Sequence, residues 1–295
     1  IGSGLAYMGG GAVVNYVSAM GQISLPLLGD VHGWQLTFFI VGLPGIAVSL
    51  LVLFTVKEPV RQGLLQAGSD SLPIRKVIDY LWQRRAAYGA HIFGISIFVM
   101  VVYALNIWGP TYLIRTFDHD PGSAGMQFGL IMMVAGTAGL LLAGFGADRW
   151  FAAGTPDAYV RTIIVSMVGL LPCAVGLGFA ESEGPAMILL SAAIFFSAFQ
   201  GGIAGGALQL MTPNRMRGQV MALYLLVANL IGLGLGPTVI AATTDYVFAN
   251  DAAIGQSIAL CAALLCPLAA LILARGLPAI RREVEAQDAA ETAAS

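Results

Sequence analysis

An adjacent carboxylate and guanidinium, Asp148 and Arg149, close an uncharged apolar run from Ala124 to Ala147. About 20 helical residues cross a bilayer, so the pair stands where such a helix leaves lipid. A carboxylate there can accept hydrogen bonds from the open N–H groups of a neighbouring helix N-terminus, whose dipole favours negative charge. The arginine can hold the carboxylate or reach a lipid phosphate. A contact of this kind forms in one arrangement of two helical units and breaks in another, which is the chemistry of a latch. Gly139, Ala143 and Ala147 lead up to the pair at four-residue spacing, on one helix face where a neighbour can approach closely. The plainer reading of the same pair is a helix ending at its first charges.

Composition sets the class. The chain has 295 residues, 58% hydrophobic and 10% charged, and its mean hydropathy is +0.82. No soluble core needs that much apolar sequence, and the apolar runs are too long for barrel strands. The expectation is an all-α polytopic membrane protein. A net charge of −2 gives no footprint for nucleic acid. Cys173, Cys261 and Cys266 lie in apolar runs at no metal or redox spacing, and read as reduced packing residues. No metal site and no cofactor is called for. The phosphate-binding loop of ATP-driven pumps is absent, as is any His, Asp or Ser constellation for a membrane enzyme.

Eight spans are expected, at 1–27, 36–56, 89–113, 123–147, 159–180, 185–210, 217–243 and 255–275. Taking alternate gaps as one side places thirteen of the fourteen Lys and Arg residues together, with Arg115 alone opposite. By the positive-inside rule the rich side, with the linker and C-terminus, is cytoplasmic, and a bacterial inner membrane is the expected location. The long gap 57–88 separates two spans from six. Within it Pro73 opens an amphipathic helix: Ile74, Val77, Ile78, Leu81 and Trp82 share one side, and Arg75, Lys76, Asp79, Gln83, Arg84 and Arg85 the other. Two spans, a basic loop and six spans suggest eight of the twelve helices of a two-half carrier. The expected domains are 1–56 as the last two helices of an N-terminal half, 57–88 as linker, 89–276 as a C-terminal half and 277–295 as tail. The true beginning of such a protein would lie upstream of Ile1. Gly2, Ala6 and Gly10 in the first span echo Ala228, Gly232 and Gly236 in the seventh, so Gly2, Gly10, Gly232, Gly236 and Pro237 are the expected packing positions.

The chain resembles the major facilitator superfamily. Gly144-Phe145-Gly146-Ala147-Asp148-Arg149 is similar to the superfamily's loop motif between the second and third helices of a half, and Gly236-Pro237 to its fifth-helix signature. Gly33-Trp34-Gln35, Gly42-Leu43-Pro44-Gly45, Glu58-Pro59-Val60-Arg61 and Trp108-Gly109-Pro110-Thr111-Tyr112-Leu113 resemble the spinster-like branch. The basic cluster usual after the motif's Arg is replaced by Trp150-Phe151-Ala152-Ala153. The resemblance implies the major-facilitator fold and a latch made by Gly144, Asp148 and Arg149, facing the start of the other half's fifth helix. Its reciprocal partner is Pro213-Asn214-Arg215-Met216-Arg217-Gly218, which supplies Arg215 and Arg217.

It also implies a cavity lined by the first and fourth helices of each half, here 89–113 and 185–210. Ser96, Met100, Tyr103, Asn106 and Pro110 form one stripe in the first, and Ser197 and Gln200 share a face in the second. Polar groups inside a membrane need a partner in protein, water or ligand. The candidate cavity residues are therefore Tyr103, Asn106 and Gln200, with Gln127, Tyr224, Asn229 and Asn15 as weaker ones. Each could equally tie helices together. His91 reads as structural and Asp245 as solvated at the outer end. No Asp, Glu, Lys or Arg sits near the middle of any span, so a coupling ion, proton or sodium, would act elsewhere or not at all. The expected function is rocker-switch transport of a small organic or lipid-like solute across the bilayer. A small organic anion is the alternative substrate, and a non-transporting receptor or scaffold the alternative class.

Overall fold

The computed structural model describes residues 1–20, 23–25, 29–57 and 73–294. The Glu58-Pro59-Val60-Arg61 stretch lies outside them. Helix α1 (Gly2–Ser18) ends in a turn at Ala19 and Met20. Strands β1 (Ile23–Leu25) and β2 (Gly29–Val31) then pair antiparallel, Ile23 with Val31, Ser24 with Asp30 and Leu25 with Gly29. The expected continuation of this helix to residue 27 is thus corrected. Gly21, Pro26 and Gly29 disfavour a helix interior, and the β-branched Ile23 and Val31 suit a ladder.

Helix α2 (Gly33–Thr55) is capped by His32, whose backbone N–H donates to Gln35 Oε1 at 2.9 Å. No residue of α2 is buried. After the short α3 (Ile74–Gln83) comes α4 (Arg85–Phe117), about 50 Å long at 1.5 Å per residue. Helices α5 (Pro121–Ile131) and α6 (Thr137–Ala152) form one span joined by a π-helical turn at Met132–Gly136. Helix α7 (Ala158–Leu177) follows, then α8 (Glu183–Ser197) and α9 (Gln200–Met211), one span broken at Ala198 and Phe199. Helix α10 (Arg217–Ala242) ends in a second π-helical stretch, and α11 (Ile254–Ala294) closes the chain. Among the described residues seven helical runs are long and apolar enough to cross a membrane. Helix α1, at 17 residues, corresponds to the other expected span.

Helix α4 is the axis of the bundle, packed on α10, α11 and α5, while α7 lies between α11 and α8. Small residues set these distances. A Cβ on Gly94 would sit 2.8 Å from Leu273, and one on Gly236 would collide with the Met100 carbonyl. Gly139 abuts the Phe195 backbone in the same way. Gly232 packs on Val99 and Tyr103, and Pro237 accepts a hydrogen bond from Trp108 Nε1 at 3.0 Å. The first span differs from expectation: among the described residues a Cβ on Gly2 or Gly10 meets nothing within 4 Å, and the close approach belongs to Gly4 and Gly11. The sequence contains two glycine faces on α1, and only contact with α5 selects between them. Large apolar side chains such as Phe38, Leu43, Phe145 and Leu230 are exposed, as a lipid-facing surface requires.

The last helix also runs further than expected, through the segment read as a tail. Pro267 and Pro278 do not end it. Ile280 and Val284 are buried beside Tyr159, Ala207 and Leu210, and Arg281 pairs with Glu285 one turn on. Burial of that apolar stripe, with helix-forming Ala and Glu, outweighs the prolines.

Candidate functional site

Two adjoining cavities, about 440 and 450 Å³, lie between α4, α9, α10 and the α5–α6 span. They share Val102, Asn106, Gln200 and Gly201. Asn106 comes from the middle of α4, and Gln200 is the first residue after the break in the α8–α9 span. Ile1, Ser3, Met132, Thr137, Leu140 and Ser197 are among the residues of one lobe. Tyr103, Met221, Tyr224, Leu225 and Asn229 belong to the other. Among the described residues no Asp, Glu, Lys, Arg or His side chain lines either lobe. The walls are apolar with a few neutral hydrogen-bonding groups, which is the chemistry of an organic-ligand pocket.

The stripe read on α4 divides. Ser96 is fully buried and donates to its own helix at Ile92 O, 2.6 Å away, while Met100 packs on Gly236. Tyr103 and Asn106 reach the cavity. The Tyr103 hydroxyl donates to Asn229 Oδ1 at 3.0 Å, and Asn229 Nδ2 donates to Leu225 O at 2.8 Å. Those two residues therefore form an α4–α10 cross-link as well as a wall. Among the described residues Asn106 Oδ1 is buried with no hydrogen-bond partner. A buried acceptor left in this condition costs about 1–3 kcal/mol, so it suits a ligand donor. Tyr224 stands beside His91, with ring centroids 5.8 Å apart. His91 is fully buried and its Nε2 pairs with Ala204 O at 3.1 Å, in keeping with a packing role.

Gln127 does not join the cavity, and that expectation is corrected. It lies on α5 toward the end carrying Asp120, where its Nε2 is 3.3 Å from His119 Nδ1. His119 also pairs with Glu183 Oε1 at 3.1 Å. Sequence spacing placed Gln127 within a span, but its depth depends on Pro121 starting the helix there. Asn15 likewise stands at this end, against Gly122.

This end holds a seam between α1 and α5. A Cβ on Gly4 would lie 2.6 Å from Gly129 O, and one on Gly11 would lie 2.8 Å from Gly122 O and 3.3 Å from Gly125 Cα. The Tyr7 hydroxyl donates across to Asn106 O on α4 at 2.7 Å. Glycines on both helices let the backbones touch. The sequence held the signal in Gly122, Gly125 and Gly129, but the partner face was not identifiable without α1 in place.

At the opposite end Asp148 Oδ1 accepts a hydrogen bond from the Tyr159 hydroxyl at 2.6 Å, joining α6 to α7. Tyr159 was not singled out from the sequence. Arg217 Nε donates to Gln209 O at 3.1 Å and Thr212 O at 3.0 Å, so it caps the C-terminus of α9. Arg215 lies in the turn Asn214–Met216 before α10. Arg149 is exposed in the last turn of α6, and Gly144 has open space beside it.

A helical bundle built for lipid around a neutral central cavity defines a polytopic membrane carrier fold. The family profile for the Major Facilitator Superfamily matches residues 2–237, and the chain belongs to that superfamily. An MFS-type efflux pump of Mycolicibacterium smegmatis is 29% identical over 224 residues, 74% of this chain and 50% of that protein. Protein spinster homolog 1 of Xenopus tropicalis is 28% identical over 271 residues, 84% of this chain and 47% of that one. The chain thus spans about half the length of these curated relatives. The same fold occurs in a bacterial homolog of the human lysosomal transporter Spinster. Its inward-facing, unoccupied crystal structure matches with a TM-score of 0.61 at 19% identity, covering 97% of this chain and 68% of that one. The inward-facing occupied form matches with a TM-score of 0.57 at 20% identity, covering 96% and 65%.

Proposed function

We propose that this chain acts in a secondary transporter that moves an amphipathic, uncharged-headed organic solute between the two faces of a membrane. The observation that carries this is the two-lobed cavity pinned at Asn106 and Gln200, apolar except for neutral hydrogen-bonding groups. Such walls suit a molecule with a hydrocarbon body and a small hydrogen-bonding head. A small organic anion is the second reading; among the described residues no lining side chain offers it a positive charge. The efflux-pump relative supports transport as the activity.

Alternating access follows from the two ends. The α1–α5 glycine seam closes the Asp120 end, and Asp148 at the other end bonds within its own half through Tyr159. On this reading α1 and α2 belong to one half and α4–α11 to the other. The described state is closed at the Asp120 end, and the end rich in Lys and Arg faces the cytoplasm. When the seam parts, Asp148 exchanges Tyr159 for the helix N-terminus of the opposite half.

Two measurements test the proposal. In the full-length protein with other accessible cysteines removed, Gln66→Cys should label from the cytoplasmic side and Ser123→Cys from the opposite one; labelling of both from the same side overturns the eight-span map, and the reverse pattern overturns the orientation. In proteoliposomes, amphipathic neutral solutes should move down or against a gradient. Saturable binding without flux would make the protein a receptor instead.

A further inference from the structure

Helix α3 carries three strips of different chemistry. Val77, Tyr80 and Leu81 face the bundle: Val77 is fully buried and the other two pack on the core. Tyr80 meets Tyr88 edge-on at 5.8 Å, and the Arg84 guanidinium lies 4.0 Å over the Tyr80 ring. Arg84 Nε also pairs with Glu283 on α11 at 3.0 Å. The helix is therefore clamped in orientation. Ile74, Ile78 and Trp82 recur every fourth residue along a second strip, exposed by 53%, 50% and 70%. Arg75, Lys76, Asp79 and Gln83 hold the third strip and are exposed.

Among the described residues nothing packs over the strip of Ile74, Ile78 and Trp82, and α3 ends one residue before the start of a spanning helix. That connection holds α3 at the boundary between lipid and water. Trp prefers this boundary, and Lys or Arg beside it meets anionic headgroups at about 1 kcal/mol each near the surface. Arg75 borders the strip, Lys76 follows it on the polar side, and the Arg85 guanidinium lies 5.9 Å from the Trp82 ring centroid. With Arg84 matched by Glu283, the other charges on α3 and at the start of α4 are Arg75, Lys76 and Arg85 against Asp79.

We propose that α3 is a lipid-docking element: Ile74, Ile78 and Trp82 insert into the bilayer surface at the basic end, and Arg75, Lys76 and Arg85 bind anionic headgroups. The clamp to Tyr88 and Glu283 then couples that surface to α4 and α11. This does not depend on which solute is carried.

The test places a nitroxide on the full-length protein in liposomes, in a background with Cys173, Cys261 and Cys266 changed to Ala. Ile78→Cys and Trp82→Cys carry it on the docking strip, and Asp79→Cys and Gln83→Cys on the water strip. Labels at 78 and 82 should collide more with oxygen than with a water-soluble nickel chelate, and those at 79 and 83 should show the reverse. The contrast should grow as phosphatidylglycerol replaces phosphatidylcholine, and lose that dependence in R75Q/K76Q. Equal nickel access at all four positions overturns the proposal in favour of a solvated helix. Exclusion of both reagents at 78 and 82 overturns it in favour of a protein cover, whether the linker or a second copy. A contrast indifferent to phosphatidylglycerol removes the anionic headgroups from it.

Discussion

The Tyr159 hydroxyl donates to Asp148 Oδ1 at 2.6 Å, so the acidic residue of the loop motif is held by its neighbour helix in this state. The bond competes with any contact Asp148 makes to the opposite half. Removing the hydroxyl should favour closure at the basic end, and removing the carboxylate should oppose it. The pair is exposed, so the effect is about 0.5–1 kcal/mol, roughly two- to fivefold in population. A cysteine replacing Thr137 in the cavity reports the outcome. Tyr159→Phe should slow its labelling from the basic side, and Asp148→Ala should not. Parallel effects of the two variants would reduce Asp148 to a helix end.

The cavity residues separate by what they already bond. Among the described residues Asn106 Oδ1 has no partner, whereas Tyr103 is joined to Asn229. Asn106→Ala and Gln200→Ala should weaken solute binding few-fold to roughly tenfold, the cost of a neutral hydrogen bond of about 0.5–1.5 kcal/mol, with little change in melting temperature. Tyr103→Phe should lower both affinity and melting temperature, because it also cuts the α4–α10 link. Lower melting temperatures with unchanged affinity in all three would refute the cavity assignment.

Apolar run length and the placement of charge made the bundle legible, since lipid leaves a chain few alternatives to helices. Asn106, Gln200, Tyr224 and Asn229 were likewise legible as polar groups inside those runs. What escaped depended on a second element. Gly2–Gly10 and Gly4–Gly11 are equivalent glycine faces until α5 meets one of them. Gln127 sits at the depth set by the helix start at Pro121. Tyr159 is an ordinary aromatic residue at a helix start until α6 brings Asp148 to it. The continuation of α11 past Pro278 required the burial of Ile280 and Val284 against α7 and α9.

Asp120 caps α5, accepting from the backbone N–H groups of Gly122 and Ser123 at 3.0 Å each. Hydrogen bonding from Ser123, with help from Asn15, pulls its carboxyl down from 3.8 to about 2. A carboxylate with a lowered folded pKa contributes its stability in full above the unfolded value and loses it as pH falls through the folded one. The melting-temperature gap between wild type and Asp120→Asn should therefore stay constant above about pH 4, narrow below 3.8 and close near pH 2. A gap that closes around neutrality would assign the effect to another group.

The α1–α5 seam leaves no room for side chains between two helix backbones. Gly11 and Gly125 stand backbone to backbone, with a Cβ on Gly125 placed 3.1 Å from Gly11 Cα and 3.2 Å from Tyr7 O. Neither neighbour can rotate away, because both contacts are backbone. Gly125→Val should therefore keep the seam from closing rather than unfold the bundle, since α5 still packs on α4 through Phe128 against Gly109. The transporter would then rest open at the Asp120 end. The expected results are normal abundance in the membrane, loss of transport and faster labelling of Asn15→Cys from the Asp120 side. Gly125→Ala, with one carbon at these distances, should retain part of the activity. Full transport by Gly125→Val would show that the seam is not a gate. Loss of the protein from the membrane would make the glycines structural, and labelling of Asn15→Cys in the milder Ala variant separates that outcome from gating.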